Sequence, residues 1–170
     1  MSSEDQWRRA FAEQAEADFE AWEKLQVRGD ISRCHQLLFL QMACEKLAKA
    51  HLYGTGSDSP SIDTSHERFA KSFPAIAKHH YARVGKKLGK YDRALKNMRS
   101  LAREIELLSP AVHKDRKRRD NCEYPWELQN GELRIPASHS FPNLTLLTQH
   151  TGRNLLKIVK EAISHLTRGG

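Results

Sequence analysis

The sequence CHQLLFLQMACEKLAKA, residues 34–50, decides the fold of this chain. Its apolar side chains are too many for a single stripe, so a helix formed here is expected to have neighbours on several sides. The small alanines permit close contact with those neighbours, whereas Glu45, Lys46 and Lys49 are expected to face water. The stretch therefore predicts the central helix of an all-α bundle.

Amphipathic stripes on either side of this stretch supply the partners of the central helix. Toward the N-terminus, apolar residues recur every three to four positions, which is typical of a helix. They are Trp7, Phe11, Ala15, Phe19, Trp22 and Leu25. Gly29 is expected to end this first helix, and Asp30 or Ser32 to cap the next one.

Three further stripes follow the central helix. Residues 69–81 keep helical spacing but contain Pro74, which predicts either two short helices or one kinked helix. Residues 91–108 predict a long helix. A last helix is predicted from Asn143 onward, with Pro142 at its start. Short links between amphipathic helices favour antiparallel neighbours, so the predicted fold is an antiparallel bundle of four to five helices.

Two segments lack helical periodicity. Residues 54–65 are rich in turn formers, which predicts an exposed, flexible loop. Residues 112–142 form an irregular insert, in which Asn130-Gly131 lies between two short apolar segments and is typical of a tight hairpin turn. The chain is therefore predicted to be a single domain, residues 1–170, with a short β-hairpin before the last helix.

The length and composition indicate one soluble, folded unit. The chain has 170 residues, of which 39% are apolar and 29% charged, unlike a disordered chain. No stretch approaches the roughly 20 apolar residues of a membrane span, so no membrane partner is expected. Met1–Asp5 is acidic and lacks the features of an export signal, which predicts a cytoplasmic location. Cys34, Cys44 and Cys122 lack paired spacing and are interpreted as free thiols.

The positive charge lies in the second half of the chain. The net charge is +7, yet residues 1–30 are acidic, and residues 83–119 carry 13 lysines and arginines against 4 acidic residues. This pattern favours RNA or another polyanion as partner. The candidate nucleic-acid-binding residues are Lys114, Arg116, Lys117, Arg118 and Arg134. The alternative interpretation of the basic run is a solvated loop.

No metal or cofactor is predicted. The nine histidines include no pair with the spacing of a metal motif such as H-E-x-x-H. Gly54-x-Gly56 is followed by neither the further glycine nor the lysine of a phosphate loop. The histidines are therefore expected to be structural or surface residues.

Three segments of the chain resemble those of the HEPN family. Residues 41–50 fit the pattern Q-x-A-x-E-K-x-x-K-A and follow an acidic first helix and a turn. His66–Phe73 is similar to the His-led short helix that follows a flexible loop in that family. Asn121–Trp126 is similar to its tyrosine-proline element before the last helix. Order and spacing are similar over most of the chain.

The resemblance implies a helical bundle that acts on or with RNA. Many HEPN proteins are metal-independent ribonucleases of toxin, antiviral-defence or RNA-processing systems, and others have lost catalysis and mediate binding. Dimerisation in the family places two copies of the site across one cleft. The resemblance therefore implies a homodimer and, for a toxin, an antitoxin as protein partner.

The catalytic motif of the family is an arginine followed four to six residues later by a histidine. The histidine removes the proton of a ribose 2′-hydroxyl, and the arginine stabilises charge on the attacked phosphate. Arg119 and Tyr124 keep the spacing, but a tyrosine, with its ordinary pKa of about 10, is a poor base at neutral pH. Arg134 and His139 also satisfy the spacing, although Pro136 between them argues against the helical setting of the family.

The first candidates for a catalytic site are therefore Arg119, Asn121 and Tyr124, with His139 as the reserve base. In this hypothesis Arg119 neutralises a phosphate, Asn121 orients it and Tyr124 donates a hydrogen bond. In the other interpretation the same segment only pins the loop, with Pro125 fixing a turn.

A second hypothesis makes the chain a non-catalytic interaction module. The same bundle would then dimerise or hold a protein partner. The residues expected on its exposed seam are Trp7, Phe11 and Trp22.

Overall fold

The computed structural model describes residues 2–56, 62, 65–87, 89, 92–112 and 120–168. Five α-helices lie within these residues: α1 (Ser3–Gln26), α2 (Arg33–Tyr53), α3 (Phe69–Arg83), α4 (Asp92–Glu106) and α5 (His150–Thr167). Two short strands, β1 (Trp126–Glu127) and β2 (Leu133–Arg134), pair before α5. The prediction of an all-α bundle with a short hairpin is confirmed. Among these residues, no helix has the length and apolar character needed to cross a membrane.

The central helix of the bundle is α2, as its sequence predicts. It contacts each of the other four helices, and Leu37, Leu40 and Leu47 on it are fully buried. The expectation that Lys49 faces water is wrong, because its side chain is only 8% exposed. Its ammonium lies 5.6 Å from the ring centre of Phe11, so an aromatic side chain of α1 covers the face assigned to solvent.

The first helix begins with a capping box. The Ser2 hydroxyl accepts a hydrogen bond from the Asp5 backbone N–H, and the Asp5 carboxylate accepts one from the Ser2 N–H, both at 3.1 Å. These bonds satisfy backbone donors that the first turn of a helix leaves free. Phe19 and Trp22 of the predicted stripe then enter the common hydrophobic core.

The helices α1 and α5 run antiparallel, side by side. Lys160 Nζ lies 2.7 Å from Glu23 Oε1, and the Thr167 hydroxyl donates to Glu16 at 3.4 Å. The contacting residues are seven positions apart on each helix, and their order along α5 is the reverse of that along α1. The helices from opposite ends of the described sequence close the bundle together.

The third helix continues through Pro74. The structure has one helix from Phe69 to Arg83, which decides between the two predicted forms in favour of a single helix. Proline removes one backbone donor at this place. The buried side chains of Phe69, Phe73 and Ala77 hold the turns on both sides of Pro74 against the core.

The last helix begins later than the sequence predicts. Pro142–Thr148 is a 3-10 helix, and α5 starts at His150 rather than at Asn143. A proline fits the first turn of either kind of helix, so Pro142 could not distinguish them. The chain turns sharply between the two segments, because Gly152 lies against the main chain of Leu147 with no room for a Cβ atom.

The predicted flexible loop is only partly described. Residues 57–61, 63 and 64 lie outside the described residues, whereas Gly54–Gly56 is exposed. Ile62 is 1% exposed and fully buried. The prediction of an exposed loop over residues 54–65 is therefore wrong at Ile62.

Candidate functional site

The basic run of the insert falls outside the described residues. This applies to Lys114, Arg116, Lys117, Arg118 and Arg119. Their contact with an anionic partner stays a prediction. The described part of the insert starts at Asp120 and contains the other predicted site residues, Asn121, Tyr124, Arg134 and His139.

The side chain of Asn121 holds its own loop together. It is 5% exposed. Its Oδ1 accepts hydrogen bonds from the backbone N–H groups of Glu123 and Tyr124, both at 2.8 Å. Its Nδ2 donates to the carbonyl oxygen of Tyr124 at 3.1 Å. These three bonds favour the loop-pinning interpretation of Asn121 over a contact with phosphate.

The loop that Asn121 pins presents Tyr124 to solvent and buries Trp126. Tyr124 is 61% exposed, and Trp126 is 8% exposed. An exposed ring can stack on a base, and a buried tryptophan anchors the segment to the bundle. Tyr124 is therefore accessible at the surface, whereas Trp126 belongs to the structure beneath it.

The hairpin brings Arg134 next to Trp126. The two residues are directly opposed in the antiparallel pair of β1 and β2, so their side chains project from the same face. Gly131 has φ of +82° and its N–H donates to the Leu128 carbonyl at 3.0 Å, so the chain reverses at Asn130-Gly131 and the predicted hairpin is confirmed. Arg134 is half-exposed and lies 3.2 Å from the carboxylate of Glu132.

His139 lies on the other side of the same tryptophan. Its ring meets those of Trp126 and Phe141 edge to face, with centroid distances of 5.0 and 4.8 Å. Its Nε2 is 3.9 Å from Asp120 Oδ2. Within the described part of the chain, this buried nitrogen has no hydrogen-bond partner. The side chain as a whole is 23% exposed, so part of the ring reaches solvent.

The insert therefore gathers Arg134, His139 and Asp120 around Trp126. Pro136 begins a 3-10 helix over Pro136–Ser138, so the arginine and the histidine are joined by a strand end and one tight turn. The prediction from Pro136, that this motif does not lie in an α-helix, is confirmed. The arrangement offers an imidazole beside a carboxylate, with a cation nearby.

The predicted aromatic seam is not continuous. Trp22 is 8% exposed and packs on Phe19 with ring centres 5.1 Å apart, so its inclusion in an exposed seam is wrong. Trp7 is 50% exposed and stacks on Tyr53, as does the half-buried Phe11. The aromatic stripe turns inward along α1 because its later residues meet the core.

A second group of side chains was missed by the sequence reasoning. One cleft, here called the histidine–arginine cleft, is lined by Arg8, His51, His79, Arg83 and His165. They come from α1, α2, α3 and α5, so no local spacing links them. Among the described residues, no group of three or more His, Cys, Asp or Glu has a metal-holding arrangement. The chemical class of ligand that suits the cleft therefore has to be inferred from the charge of its lining residues.

Comparisons of this chain with protein-family models, with curated proteins and with solved structures gave no match. The HEPN resemblance therefore neither gains nor loses support from known proteins. Support for a function comes from the geometry of the chain's own residues.

Proposed function

We propose that this chain is a HEPN-like, RNA-associated domain that acts in the cytoplasm as a metal-independent endoribonuclease. One observation supports the proposal above all. The imidazole of His139 lies beside the carboxylate of Asp120 and against Trp126, whose partner across the hairpin is Arg134. We assign the role of general base to His139 rather than to Tyr124, because an imidazole titrates near neutral pH and a phenol does not.

Asp120 orients the base. The Nε2 of His139 lies 3.9 Å from the Asp120 carboxylate, which is too far for a hydrogen bond, but the negative charge favours the tautomer with its proton on Nε2. In the proposed mechanism Nδ1 is then the basic nitrogen. Nδ1 removes the proton of a ribose 2′-hydroxyl, and the 2′-oxygen bonds to the adjacent phosphorus. The bond from phosphorus to the 5′-oxygen breaks, and the imidazolium returns its proton to that oxygen. The products are a 2′,3′-cyclic phosphate and a 5′-hydroxyl.

Arg134 stabilises the negative charge that grows on the attacked phosphate. Preorganised positive groups aimed at such charge are among the largest contributors to catalysis. Arg134 and Glu132 are each about half exposed, and ion pairs of this kind contribute little to stability. A phosphate can therefore replace Glu132 as the partner of the guanidinium.

The rest of the insert supplies RNA binding in this proposal. The exposed ring of Tyr124 stacks on a base, and base stacking is worth about 1–3 kcal/mol. The basic residues Lys114, Arg116, Lys117, Arg118 and Arg119 neutralise backbone phosphates, so binding should weaken steeply with salt. The HEPN resemblance adds a homodimer in which two such sites face one RNA.

The test is cleavage of RNA in the presence of a metal chelator. We expect His139→Asn to lower the rate about 100-fold or more, as loss of a general base does. Arg134→Gln is expected to lower it by a similar factor. His150→Asn and Arg9→Gln are matched controls, because His150 bonds only Asn154 on α5 and Arg9 pairs with Glu13 on α1. Equal cleavage by all four variants would contradict the proposal.

The same samples address the second hypothesis, a non-catalytic module. If the wild-type protein binds RNA but does not cleave it, the ribonuclease proposal is wrong, and the proposal of an RNA-associated domain is retained. If the protein neither binds nor cleaves RNA, the hypothesis of partner binding or dimerisation is favoured. The mass of the protein in solution measures dimerisation directly.

A further inference from the structure

The histidine–arginine cleft is a defined cavity of about 370 Å³. This volume falls within the range of small-molecule sites. The rings of His51 and His79 lie 5.4 Å apart across it. The Arg8 side chain crosses the backbone of Gly54, where an added Cβ atom would lie 3.1 Å from its Nε. The end of α2 thus fixes one guanidinium at the rim, where helix carbonyl groups favour a cation.

The two guanidinium groups of the cleft have no carboxylate partner among the described residues. Arg8, His51, His79, Arg83 and His165 form no ion pair with an acidic side chain of the described residues. Among the described residues, no acidic side chain lines the cleft. By contrast, Arg9, next to Arg8 on α1, is paired with Glu13, and Lys160 on α5 is paired with Glu23. The cleft therefore concentrates uncompensated positive potential.

The imidazoles respond to this potential. Burial lowers the pKa of His51, and the neighbouring His79 and Arg8 lower it further. Burial also lowers the pKa of His165, together with Arg83 and Arg8. Both rings are therefore harder to protonate, and a bound anion would offset the repulsive part of each pKa shift.

The carboxylate of Glu161 lies beneath the cleft and is paired with other groups. His80 forms part of a deeper cavity under the same residues, and its Nδ1 is 3.3 Å from Glu161 Oε2. Burial lowers the pKa of His80, Glu161 raises it, and Arg83, Lys157 and Lys86 lower it again. Glu161 also lies 3.8 Å from Lys157. This carboxylate therefore serves His80 and Lys157 and leaves the cleft cationic.

We infer that the histidine–arginine cleft binds the terminal phosphate of a phosphate monoester. Two guanidinium groups and three imidazoles provide directional donors around one opening, and arginine forks match phosphate oxygens. The two negative charges of a monoester match the two guanidinium groups better than the single charge of a carboxylate does. The volume leaves room for an organic group beyond the phosphate. The inference is independent of RNA cleavage, since no residue of the cleft belongs to the His139 site.

Histidine resonances give the direct test, with inorganic phosphate as the probe at constant ionic strength. Phosphate is expected to move the ring resonances of His51, His79 and His165, and to raise the pKa of His51 and His165, relative to sodium chloride. His35 and His150 bond Ser32 and Asn154 outside the cleft and serve as internal controls. Equal shifts at all five histidines, or no shift at the three cleft residues, would overturn the inference.

Two adjacent arginines of α1 provide a matched pair of variants. Arg8→Gln is expected to weaken phosphate binding about tenfold, as loss of a charge-assisted hydrogen bond does. Arg9→Gln should leave it unchanged, because Arg9 is paired with Glu13. Equal affinities of the two variants would refute the cleft as the site.

The source of the phosphate is decided by three ligands. They are a nucleoside 5′-monophosphate, an RNA oligonucleotide with a 5′-phosphate and the same oligonucleotide with a 5′-hydroxyl. Binding that depends on Arg8 and requires the phosphate supports the inference. The affinities for the monophosphate and for the 5′-phosphorylated oligonucleotide then show which of the two is preferred. Equal binding of the two oligonucleotides, with no binding of the monophosphate, contradicts it.

Discussion

Gly152, in the first turn of α5, lies against the main chain of Leu147 so closely that no Cβ atom fits. A backbone cannot swing aside as a flexible side chain can. We therefore expect Gly152→Ala to lower the free energy of unfolding by about 1–3 kcal/mol, although alanine favours a helix by about 1 kcal/mol. Urea unfolding measures the change. Gly29→Ala is the control, since its added Cβ would meet nothing within 4 Å, and equal losses would show that the contact does not matter.

The ion pair between Asp18 and Lys46 lies at the interface of α1 and α2. The Asp18 side chain is 5% exposed and that of Lys46 is 20% exposed. Lys46→Met leaves a buried carboxylate without its cation, which typically costs about 3–5 kcal/mol. The additional change Asp18→Leu should restore most of this loss, because the unpaired charge is then gone. A double-mutant cycle in urea measures both steps.

The control for this pair is Lys24→Met, which removes the cation of an exposed pair with Glu20. Exposed pairs contribute at most about 1 kcal/mol, so this variant should unfold almost like the wild type. A loss at Lys46 as small as that at Lys24 would mean that Asp18 is not desolvated by the fold.

Substitution of Asn121 separates its two interpretations. Asn121→Ala removes three hydrogen bonds of the loop, each worth about 1 kcal/mol, so we expect a loss of roughly 2–3 kcal/mol in stability. Asn121→Asp keeps the acceptor for two backbone N–H groups and should cost less. Thermal unfolding measures the difference. Loss of RNA cleavage with unchanged stability would assign Asn121 to the phosphate instead.

Acid is expected to destabilise the protein through His51, His80 and His165. Burial lowers the pKa of His51, His80 and His165 below the ordinary value of 6.5. The unfolded chain therefore binds more protons than the folded one in this range, and the stabilisation present above pH 6.5 is lost as the pH falls through the folded pKa values. Thermal unfolding measured between about pH 8 and pH 5 should show this decline.

The variant His51→Gln tests the origin of the decline. Glutamine does not titrate, so the drop in unfolding temperature toward low pH should be smaller than in the wild type. His150→Gln, at an exposed position, should leave the pH profile unchanged. Identical profiles for the two variants would remove His51 as a cause.

The three thiols should be unreactive in the folded protein. Cys34, Cys44 and Cys122 are free and buried. Burial raises the pKa of Cys44 and of Cys122, so the reactive thiolate is suppressed as well as shielded. A thiol reagent should label all three in urea and none in buffer over the same time. Rapid labelling of one thiol in buffer would reveal local opening at that position.

The fold was predictable because the spacing of apolar residues that predicts a helix involves only residues close together in the sequence. The stretch around Leu37 and Leu47 carries its burial pattern within itself, and the Asn130-Gly131 turn is equally local. Lys49 was misplaced because its cover, Phe11, comes from another helix. The start of α5 was misplaced because the close contact of Gly152 with the preceding turn does not change the spacing of apolar residues in the sequence.

The candidate sites were predictable only where a motif lies within one segment. Arg134 and His139 could be found by their spacing, and the structure adds Asp120 and Trp126 as their neighbours. The histidine–arginine cleft could not be found in this way. Arg8 and His165 stand at opposite ends of the chain, and only the packing of α1 against α5 brings them to one opening.

That packing also governs how the chain can reach its folded state. Glu16 and Thr167 are separated by 151 positions, so their contact closes one of the longest loops in the molecule. During synthesis α1 can associate with α2 early but must wait for α5 until nearly everything between them has left the ribosome. Nascent chains therefore expose an apolar flank throughout elongation, when aggregation or capture by a chaperone competes with completion.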